Sequence, residues 1–574
     1  MSRADRHDWT ALAVGVLAVV ALALRLYGLG ARSFHWDEAR VGYWTLRYLE
    51  SGAFAYRPVA GGPLLYVLDR HVFALVGATD LTARLVVALL GGALPLAALL
   101  FRDRLRDSET VALAFLLAAT PLLLYYSRFL RGDVPLALFA LVAVGCAVRY
   151  RDRDAPGYLY AGAAALALAV ASSGFVAGYL LCWLGAGLLV FDHRRLLAAG
   201  RLRGHSTDAA SADAAPAQPS TSDGATDGGV SPTPGATDRL REWAAWVDAE
   251  AGTIARAVGV FALVHLFFYA PRAGATGGPG LWRPTTWLAV VDAAFAGTVR
   301  KFLGVWVVTR GQGQAGHALL PYLAHNAEVL LLTSFPLVAL GLGGFLADRY
   351  SEGPPRPLVA FFAYWAGLGL LVFPILTEGQ APWVAIHVAV ALTLPAAVAG
   401  GWLLRAGRRA YRDDRAGSAV AVALLVLAVV AHSGAVAAAA YHPPDRSDRL
   451  VDFAQPASDL DPFVTDVGAA IEGNDGTDVL YYGEDLQVYG DDSTRQPPVA
   501  DRWGNRLPLP WYLERLDAQT ASTASLEEVG RIRPPVVIAT VDHRAELGSR
   551  LGDAYAASTY HLALWDRTFV VFVR

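Results

Sequence analysis

Apolar positions in this chain come in long runs separated by short polar turns. The runs lie at about 10–29, 81–101, 110–127, 134–149, 158–173, 175–191, 253–271, 321–347, 357–376, 382–402 and 417–441. Many reach the roughly 20 residues that carry a helix across about 30 Å of hydrocarbon. The pattern therefore predicts about eleven transmembrane helices. A shorter run, "PLLYVLDRHVFALVGA" (63–78), carries Asp69, Arg70 and His71. Ionisable groups in mid-bilayer are costly, so this run is expected at the interface as an amphipathic helix.

Past residue 441 the pattern changes. Residues 445–574 hold 22 Asp and Glu against 12 Arg, a net charge of −10. Short apolar runs ("DVLYYG", "PPVVIAT", "TFVVFVR") are spaced by helical stretches ("SLEEVGRI", "RAELGSRLGDAY"), which predicts a small α/β domain. Its acidity suits concentrated salt. Residues 204–238 are Ser, Thr, Ala, Gly, Pro and Asp with almost no large apolar side chain, so a disordered linker is expected there. The fold class is thus a polytopic α-helical membrane protein with a small α/β C-terminal domain. Four segments follow: an N-terminal membrane region (1–203), the linker (204–238), a second membrane region (239–441) and an acidic α/β domain (442–574).

Composition agrees. The chain is 55% hydrophobic and 17% charged, against roughly 25% charged in soluble domains, which excludes an ordinary soluble globule. Arginine collects in the turns at 102–106, 149–153 and 405–415. The positive-inside rule places those turns, the N-terminus and the linker in the cytoplasm, and the C-terminal domain outside a multi-pass cell membrane. Residues 1–30 read as an uncleaved first span. Lys301 is the only lysine, so lysine chemistry is nearly excluded. Cys146 and Cys182 fall inside apolar runs and read as small buried hydrophobes.

On this topology the unusual polar residues gather on one face. "SFHWDEARVGYWTL" (33–46) places the adjacent acids Asp37 and Glu38 in the first external loop. "YYSRFLRGDVP" (125–135) adds Arg128, Arg131 and Asp133. "GQGQAGHALLPYLAHNAE" (311–328) adds His317, His325 and Glu328, and "LTEGQAPWVAIH" (376–387) adds Glu378, Gln380, Trp383 and His387. Singly, each has a plain reading as a solvated flank, a headgroup anchor or a hydrogen-bonded helix residue. Their convergence is what suggests a site. "GQGQAG" matches a nucleotide-binding glycine pattern in form, but no strand precedes it, and neither nucleotide nor nucleic acid is an expected partner.

The acid pair after the first span, the "YSR…R.D" loop after the third and the external tail resemble GT-C membrane glycosyltransferases. The protein O-mannosyltransferase and aminoarabinose-transferase branch is the most similar. "FHWDEA", "GHALLPYLAHNAE", "APWVAIHVAV" and "RLPLPWYL" (506–513) further resemble the archaeal flippase activity-associated family linked to protein glycosylation. Two lysine positions of that family fall at "ASSGF" (171–175) and Gly379-Gln380-Ala381, where this chain has none.

The resemblance implies a polyprenyl-phosphate-linked sugar as donor and a protein or glycan acceptor at the outer face of the bilayer. It implies Asp37 as general base, Glu38 as its support and Asp133 as a second acid. Arg128 and Arg131 would receive phosphate, with His317, Glu378, Gln380 and His387 as further substrate contacts. A divalent ion (Mg or Mn) on Asp37 and Asp133 is compatible with these oxygen ligands but not required. A non-catalytic partner in flipping or delivering lipid-linked sugars is the alternative. A solute transporter would need paired interrupted helices and polar residues at mid-membrane, and neither is evident.

Overall fold

A computed structural model describes residues 3–58, 61–192, 250–274, 277–304, 319–351, 353–377, 381–438, 455–488, 502–562 and 567–574. It adds the isolated positions Ala245, Asp248 and Tyr441. The expected linker at 204–238 lies outside the described residues, as do His317, Glu378 and Gln380.

Among the described residues each of the eleven apolar runs is mostly helical. The first, α1 (Arg3–Leu26), leads into α2 (Trp36–Ser51) and α3 (Pro63–Val76), which pack on each other. Next come α4 (Asp80–Ala93, continued by a 3-10 turn to Phe101), α5 (Asp107–Ala119), α6 (Pro121–Tyr126) and α7 (Asp133–Arg153). Two apolar but shorter helices follow, α8 (Pro156–Ser172) and α9 (Val176–Asp192). The second membrane region holds α10 (Ala251–Tyr269), α11 (Leu319–Tyr350), α12 (Pro357–Leu376), α13 (Ile386–Arg412) and α14 (Ala416–Ala438).

Among the described residues, eight helices are long and apolar enough to cross a membrane: α1, α4, α7 and α10 to α14. The run at 110–127 falls short because it is broken between α5 and α6, where Pro121 has no N–H to continue the helix. In α11, Pro336 accompanies a non-helical Ser334, so that helix is kinked.

Burial ranks these helices. The span around α13 is 83% buried and packs against α5, α11, α12 and α14, whereas the α14 window is 0% buried. The first is the centre of the bundle and the second its lipid-facing edge. Neither α2 nor α3 is a candidate span. His71, Leu75 and Val76 of α3 are exposed, but Asp69 is fully buried and neither of its carboxylate oxygens is hydrogen-bonded among the described residues. Burial pushes this carboxyl well above the usual range.

The C-terminal domain contains a five-stranded sheet. Two strands precede it in the chain, β1 (Ala53–Phe54) and β2 (Arg272–Ala273), and these form a separate antiparallel pair. The sheet strands are β3 (Val479–Tyr482), β4 (Thr520–Thr523), β5 (Val536–Thr540), β6 (Ala556–Leu562) and β7 (Arg567–Val573), in the order β4-β3-β5-β7-β6. Strand β3 pairs in parallel with β4 and β5, and β7 pairs antiparallel with β5 and β6. Alternation sorts the side chains: Leu480, Val537 and Phe572 pack on one face, and Val479, Ile538 and Val571 on the other. The second face shares a core with the membrane region.

One acid fastens the domain to the bundle. Asp80, at the start of α4, accepts hydrogen bonds from Trp511 Nε1 (2.8 Å), the Tyr512 hydroxyl (3.0 Å) and Arg515 Nη1 (2.9 Å). Phe34 stacks on Trp511 with centroids 4.5 Å apart. Gly42 in α2 meets the same ring, and a Cβ there would lie 2.6 Å from it. Asp80→Ala leaves three donors without their acceptor and is expected to cost about 2–3 kcal/mol. The measurement is a thermal melt in detergent with limited proteolysis of the C-terminal domain. Unchanged melting and cleavage would show that Asp80 does not hold the domain.

Candidate functional site

The acid pair opens α2, and the helix start explains its form. His35 is the N-cap: its Nδ1 accepts from the Asp37 N–H at 3.1 Å, and Glu38 Oε2 accepts from the His35 N–H at 3.0 Å. The two carboxylates then diverge. Glu38 is fully buried and receives Arg84 through Nε (2.8 Å) and Nη2 (2.7 Å), the Leu130 N–H (2.8 Å) and Arg32 Nη2 (3.4 Å). It therefore ties together the loop after α1, the membrane helix α4 and the 127–132 loop. Burial raises the Glu38 carboxyl, and Arg84 and Arg32 outweigh it, holding the group down at about 2.

Asp37 faces the second loop. Its Oδ1 accepts from Arg40 Nη2 at 2.8 Å and its Oδ2 from Arg131 Nη1. Arg131 also donates through Nε to Asp133 Oδ2 at 2.9 Å, and its guanidinium lies 3.8 Å from the Trp383 ring centroid. Burial acts to raise Asp37, but Arg131 and Arg40 pull it below the usual carboxylate range. Asp133 Oδ1 lies 3.4 Å from His387 Nε2, without hydrogen-bond alignment, and His387 Nδ1 lies 3.0 Å from the Tyr179 hydroxyl. Gly132 lets the start of α7 lie against the end of α8: a Cβ there would sit 2.0 Å from the Ser172 carbonyl oxygen.

The structure thus brings Asp37, Arg131, Asp133, Trp383 and His387 together from three parts of the chain. It separates two residues grouped with them on sequence. Glu38 is turned inward, with its oxygens taken by arginines and a backbone N–H, and positions the loops. Arg128 points at the end of α1, where it donates to the carbonyls of Leu24, Arg25, Tyr27 and Gly28 and covers the Tyr441 ring. It caps a helix, which corrects its expected place at a phosphate. His325 and Glu328 lie on α11, the first half-buried and the second exposed. Arg40 and Tyr179 were not anticipated. Arg40 stands three residues after Asp37, a spacing that puts both on one helix face; Tyr179 carries no such signal.

The metal expectation meets the same geometry. Arg131 stands between Asp37 and Asp133, where a bridging ion would have to lie, and Arg40 takes the other Asp37 oxygen. Among the described residues no group of three or more His, Cys, Asp and Glu side chains could hold a metal ion. This donor set does not fit a divalent ion.

The chain is a helical membrane bundle with these loop acids and a docked small domain, the architecture that its resemblance to GT-C proteins implied. Residues 460–574 match the family of the Agl23 flippase-associated protein C-terminal domain, and residues 60–202 match dolichyl-phosphate-mannose-protein mannosyltransferase. The backbone is similar to apo ArnT from Cupriavidus metallidurans, with 15% identity, a TM-score of 0.54 and coverage of 97% of each chain. The same protein bound to undecaprenyl phosphate gives 17% identity, a TM-score of 0.54 and the same coverage. No curated protein sequence matches the chain. The resemblance to GT-C and flippase-associated proteins is borne out.

The Glu38 clamp has a pH signature. Its carboxyl falls from an ordinary 4.5 to about 2 on folding, so its stabilisation is whole above about pH 4.5 and is lost as pH falls towards 2. Glu38→Gln is expected to lower stability by about 3–5 kcal/mol at neutral pH. Its melting temperature should also fall less steeply than that of the wild type across this window. Equal slopes in the two proteins would remove Glu38 as the titrating group.

Proposed function

We propose that this protein transfers a glycosyl group from a polyprenyl-phosphate donor to an acceptor hydroxyl at the extracytoplasmic face, the side expected for the C-terminal domain. The observation that carries this reading is Arg131, held between two carboxylates and stacked on Trp383. The undecaprenyl phosphate bound to similarly folded ArnT supports the donor class.

In the proposed step the acceptor oxygen attacks the anomeric carbon and its proton passes to Asp37. The bond from that carbon to the phosphate oxygen breaks, and its electron pair leaves with the polyprenyl phosphate. Arg131 and Arg40 neutralise the developing charge. Asp37 is a weak base while both guanidiniums hold it. A donor phosphate that draws Arg131 away frees Oδ2, so donor binding and activation of the base become one exchange. Asp133 keeps Arg131 aligned during that exchange, with His387, itself held by Tyr179, beside its other oxygen.

The matched flippase-associated C-terminal domain favours a second reading, in which the same arginines hold a lipid-linked sugar for delivery without transfer. Purified protein and radiolabelled polyprenyl-phosphate sugars separate the two. Asp37→Asn is expected to lower the transfer rate about 100-fold or more with donor affinity undiminished, because the neutral side chain competes less for Arg131. Arg131→Ala should weaken donor binding about 10- to 100-fold, the loss of a charge-assisted hydrogen bond. Transfer should change less than about twofold on chelation with EDTA, because the carboxylates are already paired with arginine. Full activity in Asp37→Asn would end its assignment as base. Binding sensitive to Arg131→Ala without any transfer would favour the delivery reading.

A further inference from the structure

The opposite end of the bundle holds a second built feature. Helix α7 runs 21 residues from Asp133 to Arg153, about 30 Å at 1.5 Å per residue. At the Arg153 end a cavity of about 760 Å³ opens between α5, α11, α13 and α14. Its two halves differ in chemistry. Arg106, Arg356 and Arg405 stand at the polar end with Asp103, Glu109 and Asp348. Leu340, Val398, Trp402 and Leu425 line the remainder.

The polar end is short of negative charge. Glu109 is buried and serves two arginines, Arg356 Nη1 at 2.8 Å and Arg405 Nη2 at 3.2 Å. Asp348 pairs with the same Arg356. Asp103 is engaged by Arg149 and Arg153, which do not line the cavity. Glu109 Oε2 also accepts from the Arg106 backbone N–H at 3.1 Å, while the Arg106 guanidinium makes no ion pair among the described residues. Trp402 and Leu425 at the apolar side are 55% and 47% exposed on membrane-spanning helices, so that side is open to hydrocarbon.

We propose that this cavity binds the phosphate headgroup of a net-anionic membrane lipid, one with no cation beside its phosphate, with the first part of its chain along Leu340, Val398 and Trp402. The volume lies within the range of small-ligand sites, and guanidinium groups are suited to phosphate. The site is separate from Asp37 and does not depend on the transfer reaction.

Native mass spectrometry of the purified full chain tests this. The probes are phosphatidylglycerol, undecaprenyl phosphate, phosphatidylcholine and inorganic phosphate, and an Arg131→Ala background silences the site near Asp37. Gly343→Leu fills the cavity, and it should fold because no atom lies within 4 Å of a Cβ built there. Arg106→Ala removes the unmatched charge from an exposed position. Each is expected to reduce retention of phosphatidylglycerol or undecaprenyl phosphate at least fivefold, and the stronger of the two lipids identifies the source. Unchanged retention in both variants overturns the proposal. Equal retention of phosphatidylcholine would reduce the cavity to an apolar crevice, and equal binding of inorganic phosphate would remove the lipid; either result overturns it.

Discussion

The site depends on a carboxylate that does not face it. Glu38 joins Arg84 of a membrane helix to the backbone N–H of Leu130 in the loop carrying Arg131. Two charges removed from water are tolerable only when each finds partners of good geometry. Here the bidentate guanidinium and the backbone donor supply them. With the clamp in place, the first turn of α2 and the Arg131 loop have fixed positions, and Asp37 meets Arg131 without either side chain having to search.

Adjacent acids with different duties follow from the helix start. Successive side chains on a helix point about 100° apart, so one of a pair can turn into protein while the other looks outward. The N-cap geometry decides which: Glu38 occupies the third helical position and reaches back to the cap, leaving Asp37 free to face the second loop. The same local rule that starts the helix therefore separates support from chemistry.

Much of the architecture was legible in the sequence because burial in lipid writes long apolar runs. The break at Pro121 was visible as a residue but not as an interruption, since hydropathy alone is blind to a missing N–H. Arg128 and Arg131 looked equivalent three residues apart in one polar loop; only the fold shows that one faces the carbonyls ending α1 and the other two carboxylates. Tyr179 sits in an apolar run where nothing marks a hydroxyl with a partner. The "RLPLPWYL" segment was legible as a motif, but its contact with Asp80 spans 431 positions of chain to Trp511 and needed three dimensions.

The same segment also seats the helix that carries the acid pair. Trp511 presses on Gly42, a little over one helical turn from Asp37 along α2. The helix whose first turn carries the candidate base is therefore seated from two sides, by the membrane helix through Glu38 and Arg84 and by the C-terminal domain through one aromatic ring.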